Sequence, residues 1–288
     1  MIKHLTRASG SLCLLFSLAS QAADPTSSIS GEFEGEGASG RLIYSIDHDT
    51  LLLKYSSSRT TRQLAYKIQK FDACSTMTVY QIPHTRQIAI DGSCLSRGGQ
   101  ILTEVYEWKV PHSNWCLVRG ITGERSDDFD EPNQTLSVSR AIGCSTPGSR
   151  GDRDFASPAE TAKQVKVGIE ALKKVIKDGT QLTEYARTTP YYAIAEFVPY
   201  TDSDNVEALN RLAICLINIG RASEATPLLQ NIVARFQAVQ DAKLNLADAY
   251  WESGHETISS RTYLEYYEHA INEGIQDIPE RVLERKAK

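Results

Sequence analysis

The period of the apolar residues changes once along this chain, and no single kind of element can satisfy both periods. Before residue 145, runs of β-branched and aromatic residues alternate with polar ones, as in much of Leu102-Thr103-Glu104-Val105-Tyr106-Glu107-Trp108-Lys109-Val110. Strand side chains point to opposite faces in turn, so a period of two predicts strands with one face buried and the other wet. From residue 158 onward, Val165, Ile169, Leu172 and Ile176 recur at spacings of three and four, which places them on one side of a helix. The chain is therefore expected to be α+β with two domains: a β domain over 24–145, a linker over 146–157 and a helical domain over 158–288.

Within the first part, strands are expected at 41–46, 51–55, 63–71, 77–82, 87–90, 101–110, 115–121 and 135–142, separated by turn residues. An antiparallel sandwich and a partly open barrel fit this pattern equally well. Thr146-Pro147-Gly148-Ser149-Arg150-Gly151-Asp152 is dense in turn formers and lacks any period, hence the linker; the Arg150-Gly151-Asp152 tripeptide within it is read as chance. Helices are expected at 159–178, 181–187, 191–198, 205–219, 224–236, 240–253, 256–272 and 279–285. With 288 residues and 41% hydrophobic content, both parts can bury real cores.

Charge and cysteine usage bear on compartment. Lys3 and Arg7 precede an apolar stretch from Ala8 to Ser20, and Ser20-Gln21-Ala22 has small-x-small form, so residues 1–22 read as a signal peptide. The stretch is too short to span a bilayer, which implies release to the periplasm or medium without a stable membrane anchor. Cys13 lies inside this apolar run and is not read as a lipidation site. Cys74, Cys94, Cys116 and Cys144 all lie in the β part, where an oxidising compartment lets them pair. Of three connectivities, Cys74 with Cys94 and Cys116 with Cys144 are favoured, since each joins neighbouring strand-like segments. Cys215, in an apolar helical run, reads as a buried thiol. The net charge of −5 argues against nucleic acid as a partner.

The helical part matches itself at one offset. Ala208 and Ala242, Leu212 and Leu246, Ala213 and Ala247, and Gly220 and Gly254 all lie 34 residues apart. The offset and residue types resemble the tetratricopeptide repeat, with units at about 206–239 and 240–273. Leu216, Ala225 and Leu229 in the first unit, and Tyr250, Ser259 and Tyr263 in the second, fall at that family's packing positions. The sequence departs from the family at Ile232 and Tyr266, where a small residue is usual, and at Gln237 and Ile271, which replace its closing proline. The resemblance implies stacked helical hairpins, with helices over 159–198 as a degenerate preceding layer and 281–285 capping the far end.

It also implies a concave face made by the first helix of each unit. That face would carry Glu207, Asn210, Arg211, Ile214 and Asn218, then Asp241, Leu244, Asn245, Asp248, Trp251 and Glu252. Such a lining is acidic with one large aromatic, and it lacks the basic clamp of chaperone-binding members. A protein partner with a basic or mixed polar surface is expected, with Trp251 as anchor; the competing reading has solvated carboxylates and a core tryptophan.

Signatures of chemistry are sparse. Gly35-Glu36-Gly37-Ala38-Ser39-Gly40 matches a dinucleotide fingerprint literally, but a strand and not a helix follows, so a hairpin turn is expected. Asp127-Asp128-Phe129-Asp130-Glu131 lacks calcium-loop spacing and reads as a solvated acidic loop, followed by an Asn133-Gln134-Thr135 sequon. His48, His84, His112, His255 and His269 show no metal-ligand spacing, and no nucleophile motif occurs, so no catalytic residue, metal or cofactor is assigned. The expected function is a non-enzymatic periplasmic protein-binding module, with an immunity or inhibitor protein against a secreted toxin or hydrolase as its specific form. The alternative is a cell-envelope enzyme or carbohydrate-binding protein, acting from the β domain through the acidic loop, Trp108 and Trp115; sheet core is the plainer reading of both tryptophans.

Overall fold

The computed structural model describes residues 26–59, 63–71, 76–94, 100–125, 134–149, 153–179 and 181–287. The signal-peptide reading of 1–22, Cys74, the Arg150-Gly151-Asp152 tripeptide, the acidic loop at Asp127 to Glu131 and Asn133 lie outside them.

The chain is α+β. Its first half forms two antiparallel meanders: β1 (Thr26–Gly31), β2 (Gly40–Asp47), β3 (Thr50–Ser57) and β4 (Leu64–Gln69) in one sheet, and β5 (Thr76–Gln81), β6 (Gln87–Cys94), β7 (Gln100–Lys109), β8 (Asn114–Arg125) and β9 (Gln134–Arg140) in the other. β1 carries one apolar residue in Thr-Ser-Ser-Ile-Ser-Gly and escaped the periodicity argument; its place comes from pairing with β2. The segment from Gly35 to Gly40 turns β1 into β2, with the Ala38 N–H donating to the Gly35 carbonyl at 3.1 Å.

The two sheets share one core. Leu42, Leu51, Leu53 and Ile68 of the first meet Ile88, Ile90 and Leu117 of the second. Aromatic rings bridge them at its centre: Phe33 lies 5.1 Å from Trp115 between ring centroids, and Tyr55 lies 4.8 Å from Trp108 and 5.4 Å from Trp115. Offset and edge-on pairs of this kind add about 0.5–1.5 kcal/mol each beyond the area they bury. The Cys116–Cys144 disulfide ties β8 to the chain after β9, with Cα atoms 4.6 Å apart. Cys94 ends β6.

β7 departs from the expected alternation, since Thr103, Glu104, Val105 and Tyr106 are all buried. Its second face is not wet. Ala89, Val105 and Ile121 pack beneath Tyr192 of the helical half, while Tyr106 faces the other sheet. Burying both faces places Glu104 in the interior, where it accepts from the Tyr106 hydroxyl at 2.5 Å and pairs with Arg153.

The stretch between the halves is held on the β part wherever it is described. Leu117 N–H donates to the Ser145 carbonyl at 2.8 Å, Ile142 N–H to Asp154 at 2.8 Å, and Ala156 N–H to Arg140 at 2.8 Å. Ser157 then starts α1 (Pro158–Asp178) with a capping box: its side chain accepts from the Glu160 N–H and the Glu160 carboxylate accepts from the Ser157 N–H. Val165, Ile169 and Leu172 are the buried stripe of this helix.

Among the described residues seven further α-helices follow: α2 (Leu182–Thr188), α3 (Tyr191–Phe197), α4 (Val206–Asn218), α5 (Ala222–Arg235), α6 (Gln240–Glu252), α7 (Glu256–Asn272) and α8 (Glu280–Arg285). α4 packs on α5 and α6 on α7 as hairpins, and α4 also touches α6. The two hairpins share one turn design. Gly220 and Gly254 sit at φ 80° and 82°, a region open to glycine at little cost. Gly220 N–H reaches Ile217 at 3.0 Å and Arg221 N–H reaches Leu216 at 2.8 Å; Gly254 N–H reaches Trp251 at 3.0 Å and His255 N–H reaches Tyr250 at 2.9 Å. Every donor and acceptor here has its counterpart 34 residues on, and each pair of bonds satisfies carbonyls the helix end would leave open. Gly220→Ala and Gly254→Ala are each expected to cost about 1 kcal/mol, lowering the thermal midpoint by about 2–4 °C in calorimetry, while alanine at exposed Ser223 leaves it unchanged within about 1 °C.

Candidate functional site

The residues expected on the helical face divide into an open set and a committed set. Glu207, Arg211, Ile214 and Asn218, spaced by four, three and four, form an exposed stripe on α4, and Asp241 and Glu252 are exposed on α6. Three carboxylates around one guanidinium leave this stripe net acidic. The others are turned to structural use. Asn210, Leu244 and Asn245 are buried, and the Asn245 amide donates to the Asn210 side-chain oxygen at 3.0 Å, joining α4 to α6. A buried amide needs such a partner, and each asparagine supplies the other's.

Asp248 and Trp251 are covered by α8. Arg281 gives Asp248 a bidentate pair, Nε at 2.9 Å and Nη2 at 3.0 Å, and the Tyr263 hydroxyl donates to the same carboxylate at 2.5 Å. The Arg285 guanidinium lies 4.5 Å from the centre of the Trp251 ring and donates to the Tyr263 hydroxyl at 3.0 Å. Burial first, then the Asp248 carboxylate, hold the Tyr263 hydroxyl protonated well above the usual tyrosine range. In this conformation, the acid and aromatic expected to anchor a partner instead hold the chain's own last helix.

Trp108 and Trp115, the aromatics of the alternative reading, are 7% and 0% exposed and belong to the core between the sheets. They present no ring face to a glycan. Cys215 is a buried free thiol, as its apolar run implies. Among the described residues no group of three His, Cys, Asp or Glu side chains comes together, and no helix is long and apolar enough to cross a membrane.

A cleft of about 990 Å³ lies where the helical half meets the second sheet. Its floor is the outer face of that sheet, with Tyr80, Asp91 and Thr103, and its far wall is α5 with Ser223, Pro227 and Asn231. Thr103 donates to Asp91 at 2.7 Å, and Tyr191 reaches into this group from α3. Burial, followed by the neighbouring Tyr80, keeps the Tyr191 hydroxyl protonated far above its ordinary range. At one side stands Glu196, whose side chain is 3% exposed. Arg119 donates to one of its oxygens at 2.8 Å and Arg140 to the other. Arg119 also lies over the Tyr192 ring at 5.4 Å, and the Tyr192 hydroxyl donates to Gln87 at 2.5 Å.

Sequence reasoning missed this cleft because its parts come from β5, β6, β7, β9, α3 and α5, with no local spacing in common. The one local trace is Tyr191-Tyr192 opening a helix that also carries Glu196, two tyrosines and an acid on an element too short to stand alone. No protein family, curated protein or solved structure matches this chain.

The Glu196 joint is testable by stability. Glu196→Gln leaves two partly buried guanidinium groups without a counter-charge and is expected to destabilise the protein by about 3 kcal/mol in urea titration, whereas Glu184→Gln in its exposed pair with Arg187 changes it by less than about 0.5 kcal/mol.

Proposed function

We propose that this chain is a non-enzymatic, exported protein-binding module, in which a β sandwich stapled by a disulfide supports a short array similar to tetratricopeptide repeats. The observation that carries the reading is the 34-residue recurrence of both sequence and turn geometry. Hairpins built alike stack alike, and α4 lies against α6. The Cys116–Cys144 disulfide supports an oxidising compartment, the periplasm or the medium.

The partner is a protein with a basic or mixed polar surface. Glu207, Asp241 and Glu252 supply the acidic complement, Ile214 an apolar contact, and Arg211 and Asn218 directional hydrogen bonds. A secreted toxin or hydrolase that the chain neutralises is the specific form of this reading, because a binder without catalytic groups acts by covering a surface.

Asp248 and Trp251 are poor positions for testing it, since changing either also releases α8. The informative variants are at exposed sites. Affinity purification of the tagged chain from its own cell envelope is expected to return one stoichiometric protein. Asn218→Lys combined with Glu252→Lys, which makes the face basic at exposed positions ending α4 and α6, should weaken that complex by at least about tenfold in titration calorimetry without lowering the thermal midpoint. Recovery of no stoichiometric partner, or of one indifferent to the double variant, would contradict the reading.

A further inference from the structure

The cleft between the halves contains an unfinished sheet edge. In β9 the Ala141 N–H, just past the strand, donates to the Val118 carbonyl at 3.1 Å, so residue 141 and its alternate neighbours 139, 137 and 135 point at β8. Arg140 and Ile142 point the other way: the Arg140 carbonyl accepts from Ala156, and the Ile142 N–H donates to Asp154, both at 2.8 Å. The β8–β9 register runs without a break from Arg119↔Arg140 to Arg125↔Gln134. Leu136 and Val138 therefore continue the outward set. Among the described residues, no backbone partner meets their outward N–H and C=O groups.

The chain itself begins to cover this edge and stops. Residues 154–156 pair antiparallel with 140–142 through the Ala141↔Phe155 bridge, and at Ser157 the backbone turns into α1. Thr135, Leu136, Ser137 and Val138 all line the cleft. Four consecutive residues cannot reach one cavity through a single sheet face, so it is the edge of β9 that borders the space. An added strand lies about 4.8 Å from its neighbour. The cleft, about 990 Å³, is at the upper end of the roughly 300–1,000 Å³ typical of ligand sites and has room for several extended residues.

We propose that this edge takes an extended peptide segment of a partner protein, which adds antiparallel to β9 in line with residues 154–156. The main-chain groups of Leu136 and Val138 supply affinity, as in other cases of strand addition. The floor sets the side-chain pattern. Leu136 and Val138 pack toward Tyr192, Ala89 and Ile121, so the partner residues opposite them share that apolar side and the residues between are polar. Across the cleft, Pro227 has no N–H to give Ser223, which leaves that carbonyl without its helical donor in the same wall. The segment thus alternates, apolar at every second position. This site is separate from the α4–α6 face, and neither depends on the other.

The test uses the full mature chain and a pool of heptapeptides that alternate Val, Ile, Phe or Tyr with Ser, Thr or Asn. Saturable binding by fluorescence anisotropy is expected, together with slowed hydrogen exchange at the Leu136 and Val138 amides. Val138→Pro removes the outward N–H and leaves the ladder to β8 intact, a place where an edge strand tolerates proline, and Val138→Ala, which trims the packed side chain but keeps the N–H, is its control. Val138→Pro should weaken binding at least about tenfold, as should N-methylation of the peptide at alternate residues. Asn218→Lys with Glu252→Lys should leave peptide affinity unchanged, which separates this site from the helical face. No saturable binding, protection of amides elsewhere, or affinity indifferent to both backbone changes would overturn the proposal.

Discussion

A carboxylate enclosed by two guanidinium groups sets the shape of this molecule. Glu196 sits on α3, seven residues long, and its partners Arg119 and Arg140 project from β8 and β9. Removing a carboxylate from water costs several kcal/mol, and that cost is offset only when both oxygens are matched by charge and geometry. The match exists in one place. It fixes α3 across the second sheet, brings Tyr192 down on Val105 and Ile121, and turns a sheet with one wet face into one buried on both sides. The cleft is a consequence, since α3 holds α5 at a distance from β9 and leaves the space between them open.

How much of this was legible in the sequence depended on whether the cause was local. Period is local, so α1 was readable from Val165, Ile169 and Leu172; the capping box of Ser157 and Glu160 that starts it is as local and was not read. The 34-residue recurrence was readable because Gly220 and Gly254 must occupy the same left-handed turn. Cys116 and Cys144 were readable as partners because each lies on a neighbouring segment. β1 was not, because a strand of serines and threonines takes its place from β2 and carries little pattern of its own. The burial of Thr103 was hidden for a similar reason: the layer that covers that face of β7 arrives from nearly ninety positions away.

The helical face shows the same limit. Its exposed stripe from Glu207 to Asn218 lies among the positions that the repeat resemblance implied. What spacing does not show is that Asn245 turns inward to Asn210, or that Arg281 and Arg285 return to Asp248 and Trp251. A helix end exposes an apolar flank unless something covers it, and α8 does so with two arginines four apart and one buried residue, Val282. The acidic and aromatic character noticed in the sequence is real. Its first use is to complete the chain's own fold.

The β and helical halves form one cooperative body, joined at Glu196 with the cleft formed between them. Differential scanning calorimetry of the chain tests this directly. A single transition, with calorimetric and van't Hoff enthalpies equal within about 10%, is the predicted result. Two resolved transitions, one for each half, would contradict it and reduce the Glu196 joint to a surface contact.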